Sequence, residues 1–239
     1  MPDTKPPLLA VLIDADNIPA RYAEAILKEI TSFGEPALRR VYGDWSSDRL
    51  KPWADKVLAL GLVAHQETAN TKGKNASDIG LVIDAMDILH SGRFDGFVLV
   101  SSDSDFTRLA SRIREQGLDV IGIGEAKAPV SLRNVCNRFV LIENIVEEPA
   151  ASPRGKTESG NAAKLPPKQA TDLILRAMEK IDQEDEWYTL GQIGQFITAD
   201  NPDFDTRTYG KRKLSDLVRE LKRFETKRVG NQLHIRRLD

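Results

Sequence analysis

The chain has 239 residues, room for one large domain or for a medium domain and a small one. Its 41% hydrophobic and 29% charged content fit a globular protein with a real core, and the formal charge of −2 excludes a uniformly basic nucleic-acid coat. The average hides an asymmetry: residues 164–239 carry 15 Lys and Arg against 13 Asp and Glu, the rest 19 against 23. Cys136 stands alone, so neither an intramolecular disulfide nor a cysteine metal cage can form, and a reducing cytosol is the natural reading. The opening MPDTKPPLLAVLID lacks a basic n-region and a cleavage-like site. No apolar run reaches the roughly 18 residues of a membrane helix, so a soluble, cytoplasmic protein is expected.

From residue 8 to about 145, short apolar runs alternate with helical patterns. LLAVLI precedes an amphipathic stretch at 20–32, ALRRVYG one at 48–60, LVAHQE one at 76–90, FVLVS one at 105–116, and LDVIGIG a short segment near 130. RFVLIENI closes the series as a sixth strand. Near-continuous apolar strands alternating with helices predict an α/β fold with a mostly parallel sheet covered on both faces.

The composition then shifts. EEPAASPRGKTESGNAAKLPPK is rich in Pro, Ala, Gly and Ser without hydrophobic period and reads as a flexible linker. The expected organisation is a first domain at 1–146, a linker at 147–167 and a small domain at 168–239. In the small domain, Leu173, Ile174, Ala177, Met178 and Ile181 share a helical face within 168–182. Leu190 to Ala199 and Tyr209 to Phe224 are further helices, and FETKRV, Gly230-Asn231 and QLHIRR form a hairpin. Three helices followed by a hairpin is the winged-helix arrangement.

In open parallel sheets, sites form outside the carboxyl ends of strands. Asp14 follows the first apolar run, trailed by Ala15, Asp16 and Asn17; Ser101, Ser102, Asp103, Ser104 and Asp105 follow FVLVS. Short polar residues at such places also cap helices and shape turns, and one of the second group is expected to cap the helix near Phe106. Two carboxylates at one helix start exceed what a helix dipole offsets, about 1 kcal/mol at an exposed site, so a hard divalent cation is the better explanation. The third element is TKGKNASDIGLVIDAMDIL, with Asn75 or Ser77 as cap, Asp78 in the first turn, and Ile79, Val82, Ile83 and Met86 as the expected apolar face. Asp84 lies about 240° around the helix from Asp78, so it is expected to order a neighbouring group or face solvent rather than share an ion. Lys72 and Lys74 precede this helix, where they can meet a phosphate backbone or simply face solvent. His65 and His90 sit at element ends and read as structural.

LIDADN, KNASDIGLVID and VSSDSDF, in that order, resemble the NYN domain, a branch of the PIN-like nuclease superfamily. The resemblance implies a PIN-like three-layer sandwich and a ribonuclease dependent on Mg²⁺ or Mn²⁺. It implies metal-binding and catalytic roles for Asp14, Asp78 and Asp103, an additional acidic role for Asp105, and a supporting role for Asn17; Ser101 and Ser102 belong to the same motif. Such carboxylates hold ions that polarise a scissile phosphate and activate water.

In the tail, Arg207, Lys211, Arg212 and Lys213 stand at a helix start with Tyr209 and Gly210 among them. Cations at a helix start can meet phosphate, and Tyr209 could stack on a base; a solvated amphipathic helix with Leu214, Leu217, Val218 and Leu221 inward accounts for the same pattern. PDFDTRTYGKRKLSDLVREL with FETKRVGNQLHIRR resembles the OST-HTH, or LOTUS, domain. That implies a winged-helix module binding RNA or, in some members, a protein partner. Tethering such a module to a nuclease raises local substrate concentration.

Two other readings remain. Asp14-x-Asp16 with Ser101 and Asp103/Asp105 is similar to haloacid-dehalogenase phosphatases, though those follow the second aspartate with Gly and Thr where this chain has Asn17-Ile18. A non-catalytic RNA-binding adaptor with an acidic metal pocket is the alternative outside enzymes.

Overall fold

The computed structural model describes residues 5–66, 76–146, 164–183 and 185–238. The chain divides into two compact units, residues 1–153 and 154–239. Among the described residues no helix is long and apolar enough to cross a membrane.

The first unit alternates strand and helix as the apolar runs require. Its elements are β1 (Leu8–Asp14), α1 (Ala23–Ile30), β2 (Glu35–Gly43), α2 (Lys51–Ala59), β3 (Val63–Gln66) and α3 (Ala76–His90). They continue with β4 (Gly96–Val100), α4 (Thr107–Glu115), β5 (Asp119–Gly124), α5 (Val130–Val135), β6 (Arg138–Leu141) and α6 (Ile142–Ile145). The six strands are ordered β3-β2-β1-β4-β5-β6 and every neighbouring pair is parallel. The order reverses between β1 and β4, so a crevice opens between their carboxyl ends. RFVLIENI is not wholly strand: Ile142 begins a helical turn that buries its own side chain against the α1 side of the sheet.

Strand alternation assigns the two faces. On β1, Leu9, Val11 and Ile13 enter the core beneath α1 and α2, with Ile26, Ile30 and Trp53. Ala10 and Leu12 enter the opposite core with Leu81 and Ala85 of α3 and Leu109 and Ile113 of α4. On β4, Val98 and Val100 take the first face, Phe97 and Leu99 the second. Period-two geometry therefore directs Asp14 and Ser101, the next residues in the second series, toward the layer that carries α3 and α4.

The α3 face differs from the sequence expectation. Leu81, Ala85, Ile88 and Leu89 are buried, Val82 and Met86 only partly packed, and Ile79 and Ile83 are 61% and 59% exposed. Apolar residues surround most of this helix, so its hydrophobic period does not single out one face.

The second unit contains α7 (Thr171–Lys180), β7 (Tyr188–Thr189), α8 (Leu190–Asp200), α9 (Leu214–Glu220), β8 (Phe224–Val229) and β9 (Gln232–Arg237). Strand β9 lies between β7 and β8, both antiparallel to it. The two-residue β7 was not anticipated; it turns the hairpin into a three-stranded wing. Ile174, Ala177, Met178, Ile193, Ile197, Leu217, Val218, Leu221 and Ile235 form the core. Thr189 and Gln192 make a reciprocal capping box that starts α8. The helix expected from Tyr209 begins only at Leu214. Tyr209 instead ends a 3-10 turn at Thr206–Tyr209, and Gly210 at φ +72° takes the left-handed conformation that stops it. This unit also takes in Leu165, whose N–H donates to Thr208 O at 2.8 Å, and Pro167, both within the stretch expected to be linker.

Candidate metal centre and nucleic-acid interface

Asp14 ends β1 and is 3% exposed. Ser101 Oγ donates to its Oδ2 at 2.9 Å, and the Asn17 N–H donates to its Oδ1 at 3.2 Å. Burial pushes this carboxyl up to about 7, the Ser101 and Asn17 donors pull it back, and the charges of Asp78 and Asp16 push it further. Asn17 also ties the two loops together, its Oδ1 accepting the Ser102 N–H at 2.9 Å. Ser102 Oγ accepts the Glu125 N–H at 2.8 Å, fixing the loop after β5. Gly124 permits that approach: a Cβ there would stand 2.6 Å from the Ser101 carbonyl oxygen.

The loop after β4 is shaped by its own carboxylate. Asp103 caps the 3-10 turn at Ser104–Phe106, its Oδ1 accepting the Asp105 N–H at 3.0 Å, and its own N–H donates to Ser101 Oγ at 3.1 Å. The cap expected in this motif is thus Asp103. Capping occupies one oxygen and does not remove the residue from the crevice. Asp78, in the first turn of α3, meets it there: one carboxylate oxygen each from Asp78, Asp103 and Asp105 lie within 4.8 Å of one another. Burial raises the Asp78 carboxyl, and the charges of Asp103, Asp105 and Asp16 raise it further. Asp14 stands outside this trio yet feels the charge of Asp78. Three hard oxygen donors at mutual repulsion fit a divalent cation such as Mg²⁺ or Mn²⁺. Lys72, Lys74 and Asn75 lie outside the described residues.

Asp84 orders neighbouring groups, one of the two placements expected for it, and sequence reasoning missed only which groups these are. Asp84 accepts hydrogen bonds from Arg40 Nη1 at Oδ1 and from the Tyr42 hydroxyl at Oδ2. Arg40 and Tyr42 follow Leu38 on the β2 face that looks at α3, and Tyr42 is also the register partner of Asp14. The clamp therefore fixes the helix that carries Asp78 to the strand beside Asp14. The available signal was Arg40, two residues before Tyr42 and therefore on the same strand face as an aromatic hydroxyl. His65 stacks near Tyr42 with ring centroids 5.1 Å apart, and His90 Nδ1 lies 2.7 Å from Met86 O, both structural placements.

In the second unit the proposed RNA contacts separate. Tyr209 is buried with its ring 6.0 Å from that of Phe204, so it is a core residue and not a base-stacking surface. Arg207 binds both carboxylate oxygens of the buried Asp205, which itself caps the turn. Lys211 pairs with Glu220. Arg212 and Lys213 are exposed and form no ion pair among the described residues. On the wing, Lys227 and Arg236 lie over the Trp187 ring, at 3.8 and 4.9 Å from its centroid.

Compared with known proteins, the sequence matches the NYN domain over residues 8–143 and the OST-HTH/LOTUS domain over residues 163–235. No curated relative matches it. A crystal structure of a Vibrio parahaemolyticus protein of unknown function is similar at TM-score 0.50 and 20% identity, covering 59% of this chain and 96% of that one; it speaks to fold alone. An uncharacterised Nitrosomonas europaea protein, solved in solution, is 28% identical over 39% of this chain and 93% of its own, with TM-score 0.27.

Proposed function

Because the chain belongs to the NYN domain family, within the PIN-like nuclease superfamily, and carries an OST-HTH/LOTUS domain, we propose that it is a Mg²⁺- or Mn²⁺-dependent ribonuclease whose C-terminal domain recruits the RNA. The observation that carries this reading is the convergence of Asp78, Asp103 and Asp105, from two separate elements, at the switch point of the sheet beside Asp14. A divalent cation held by these carboxylates supplies charge neutralisation at the scissile phosphodiester and activation of water.

The chain's own residues set the geometry for that chemistry. Ser101 and Asn17 fix both oxygens of Asp14, so its carboxylate has one orientation. Asp103 is held by the turn it caps, which brings Asp105 alongside. The Arg40–Asp84–Tyr42 clamp sets the rotation of α3 and with it the place of Asp78. Such restraint matters because a displacement of about 1 Å can cost roughly a hundredfold in rate.

The test is an RNA-cleavage time course with purified protein in Mn²⁺ or Mg²⁺, beside an Asp14→Asn/Asp103→Asn variant and an EDTA control. Cleavage abolished in both controls is expected. Equal decay in the variant would assign the activity to a contaminant, and intact RNA binding without decay would make the chain an adaptor.

A further inference from the structure

A groove of about 440 Å³ opens among the start of α8, the start of α9 and the tip of the β8–β9 wing. Leu190, Leu214 and Leu233 supply apolar walls, and Ser215, Asn231 and Gln232 supply a hydroxyl and two amides. Among the described residues, Lys213 is the one charged residue that lines it and none is a carboxylate. The volume falls within the usual range of small-ligand sites, about 300–1,000 Å³.

Apolar walls edged by amides match an unstacked nucleobase, which needs contact on its faces and donors and acceptors along its edges. The surrounding charge selects the same occupant. Arg212 precedes Lys213, and Arg228 stands opposite Leu233 in the wing register, which puts their side chains on one face of the hairpin. Arg212, Lys213 and Arg228 are all exposed and make no ion pair among the described residues. Lys213 in the groove, Arg228 on the hairpin face of Leu233 and Arg212 next in chain to Lys213 are cations that complement the phosphates on either side of an inserted base.

We propose that this groove receives one unpaired nucleotide of single-stranded RNA, its base between the leucine side chains and its flanking phosphates against Arg212, Lys213 and Arg228. The inference rests on the RNA-recruitment reading above and deepens it: the C-terminal domain selects single strands over duplexes, whose bases are stacked and whose major groove is too narrow for side chains.

Gly191 provides the test. It lines the groove, its φ is not positive, and a Cβ built on it meets nothing within 4 Å, so Gly191→Phe adds a bulky side chain at the groove's wall from an unstrained position. Fluorescence anisotropy of the full chain in EDTA would compare a short labelled single-stranded RNA with its duplex. Wild type is expected to favour the single strand, and Gly191→Phe to weaken it by about tenfold or more with an unchanged circular dichroism spectrum and melting point. Should Gly191→Phe disturb the fold, Lys213→Glu, at an exposed position, reads the same groove with the same expected loss. Binding by wild type that both variants leave intact, or a preference for duplex, would overturn the groove while leaving recruitment standing. No RNA binding by wild type would overturn the recruitment reading and the groove's nucleotide with it, leaving the groove to a peptide.

Discussion

In the sheet unit, carboxylates from β1, α3 and the loop after β4 are drawn together so that two of them, Asp14 and Asp78, are held above their ordinary range by burial and by neighbouring carboxylates, Asp78 and Asp16 acting on Asp14, and Asp103, Asp105 and Asp16 on Asp78. In the winged-helix unit the charged residues first noticed as a ligand surface divide: Arg207 is spent on Asp205 and Lys211 on Glu220, while Arg212 and Lys213 stay exposed with no ion pair among the described residues. Like charges gathered at a cost to stability call for an external ion, and cations without a partner for an anionic one; opposite charges already paired call for nothing. The contrast separates chemistry from architecture in two regions that look equally charged in the sequence.

The sharpest way to break the contrast is to remove one member of each group. Asp78→Asn is expected to lower RNA cleavage by about a thousandfold, the loss of several kcal/mol of ion-mediated stabilisation, with the fold retained. Arg212→Glu should instead raise KM by about tenfold and leave kcat alone, since phosphate contacts supply uniform binding. Steady-state kinetics on one RNA reads both; a kcat loss in Arg212→Glu would erase the distinction.

Stability gives the next largest effects, and of opposite sign. The Asp14 carboxyl, at about 7 in the folded protein against 3.8 unfolded, binds its proton more tightly when folded. Its ionisation penalty is absent below the unfolded value, grows as pH rises toward the folded value and is complete above it. Without divalent ions, Asp14→Asn should therefore stabilise the protein near pH 8, by an amount on the order of 4 kcal/mol, and leave it unchanged near pH 4. Denaturant melts at the two pH values measure the difference. Tyr209→Ala, by contrast, should cost the second unit about 3 kcal/mol by opening a cavity beside Phe204, and a tyrosine that contacted only RNA would not. The smallest effect is expected at the clamp: Tyr42→Phe should cost about 1–2 kcal/mol and weaken Mn²⁺ affinity severalfold, seen in thermal melts with and without the ion.

How much of this could be read from sequence depended on whether the pattern had one solution. Strand period two has one, so Asp14 and Ser101 emerge on the side expected from Ala10 and Leu12, Phe97 and Leu99. The α3 pattern has several, because apolar residues surround the helix, and Ile79 and Ile83 turned out exposed. Asp84 was separated from Asp78 by helix geometry alone, while its partners Arg40 and Tyr42, over 40 residues upstream, required the β2–α3 packing to be known. Tyr209 misled because its neighbours are basic; its ring is buried beside Phe204. The groove beside Gly191 joins three segments distant in sequence and left no local pattern.

The most direct measurement is a calorimetric Mn²⁺ titration of the intact protein near neutral pH, repeated in buffers of different ionisation enthalpy and with Asp103→Asn. Saturable uptake with proton release is expected, because the Asp14 carboxyl, raised to about 7, must give up its proton as the ion enters beside it, and Asp103→Asn should abolish the uptake. No uptake at millimolar Mn²⁺, or uptake that Asp103→Asn leaves unchanged, would contradict an ion site at these carboxylates.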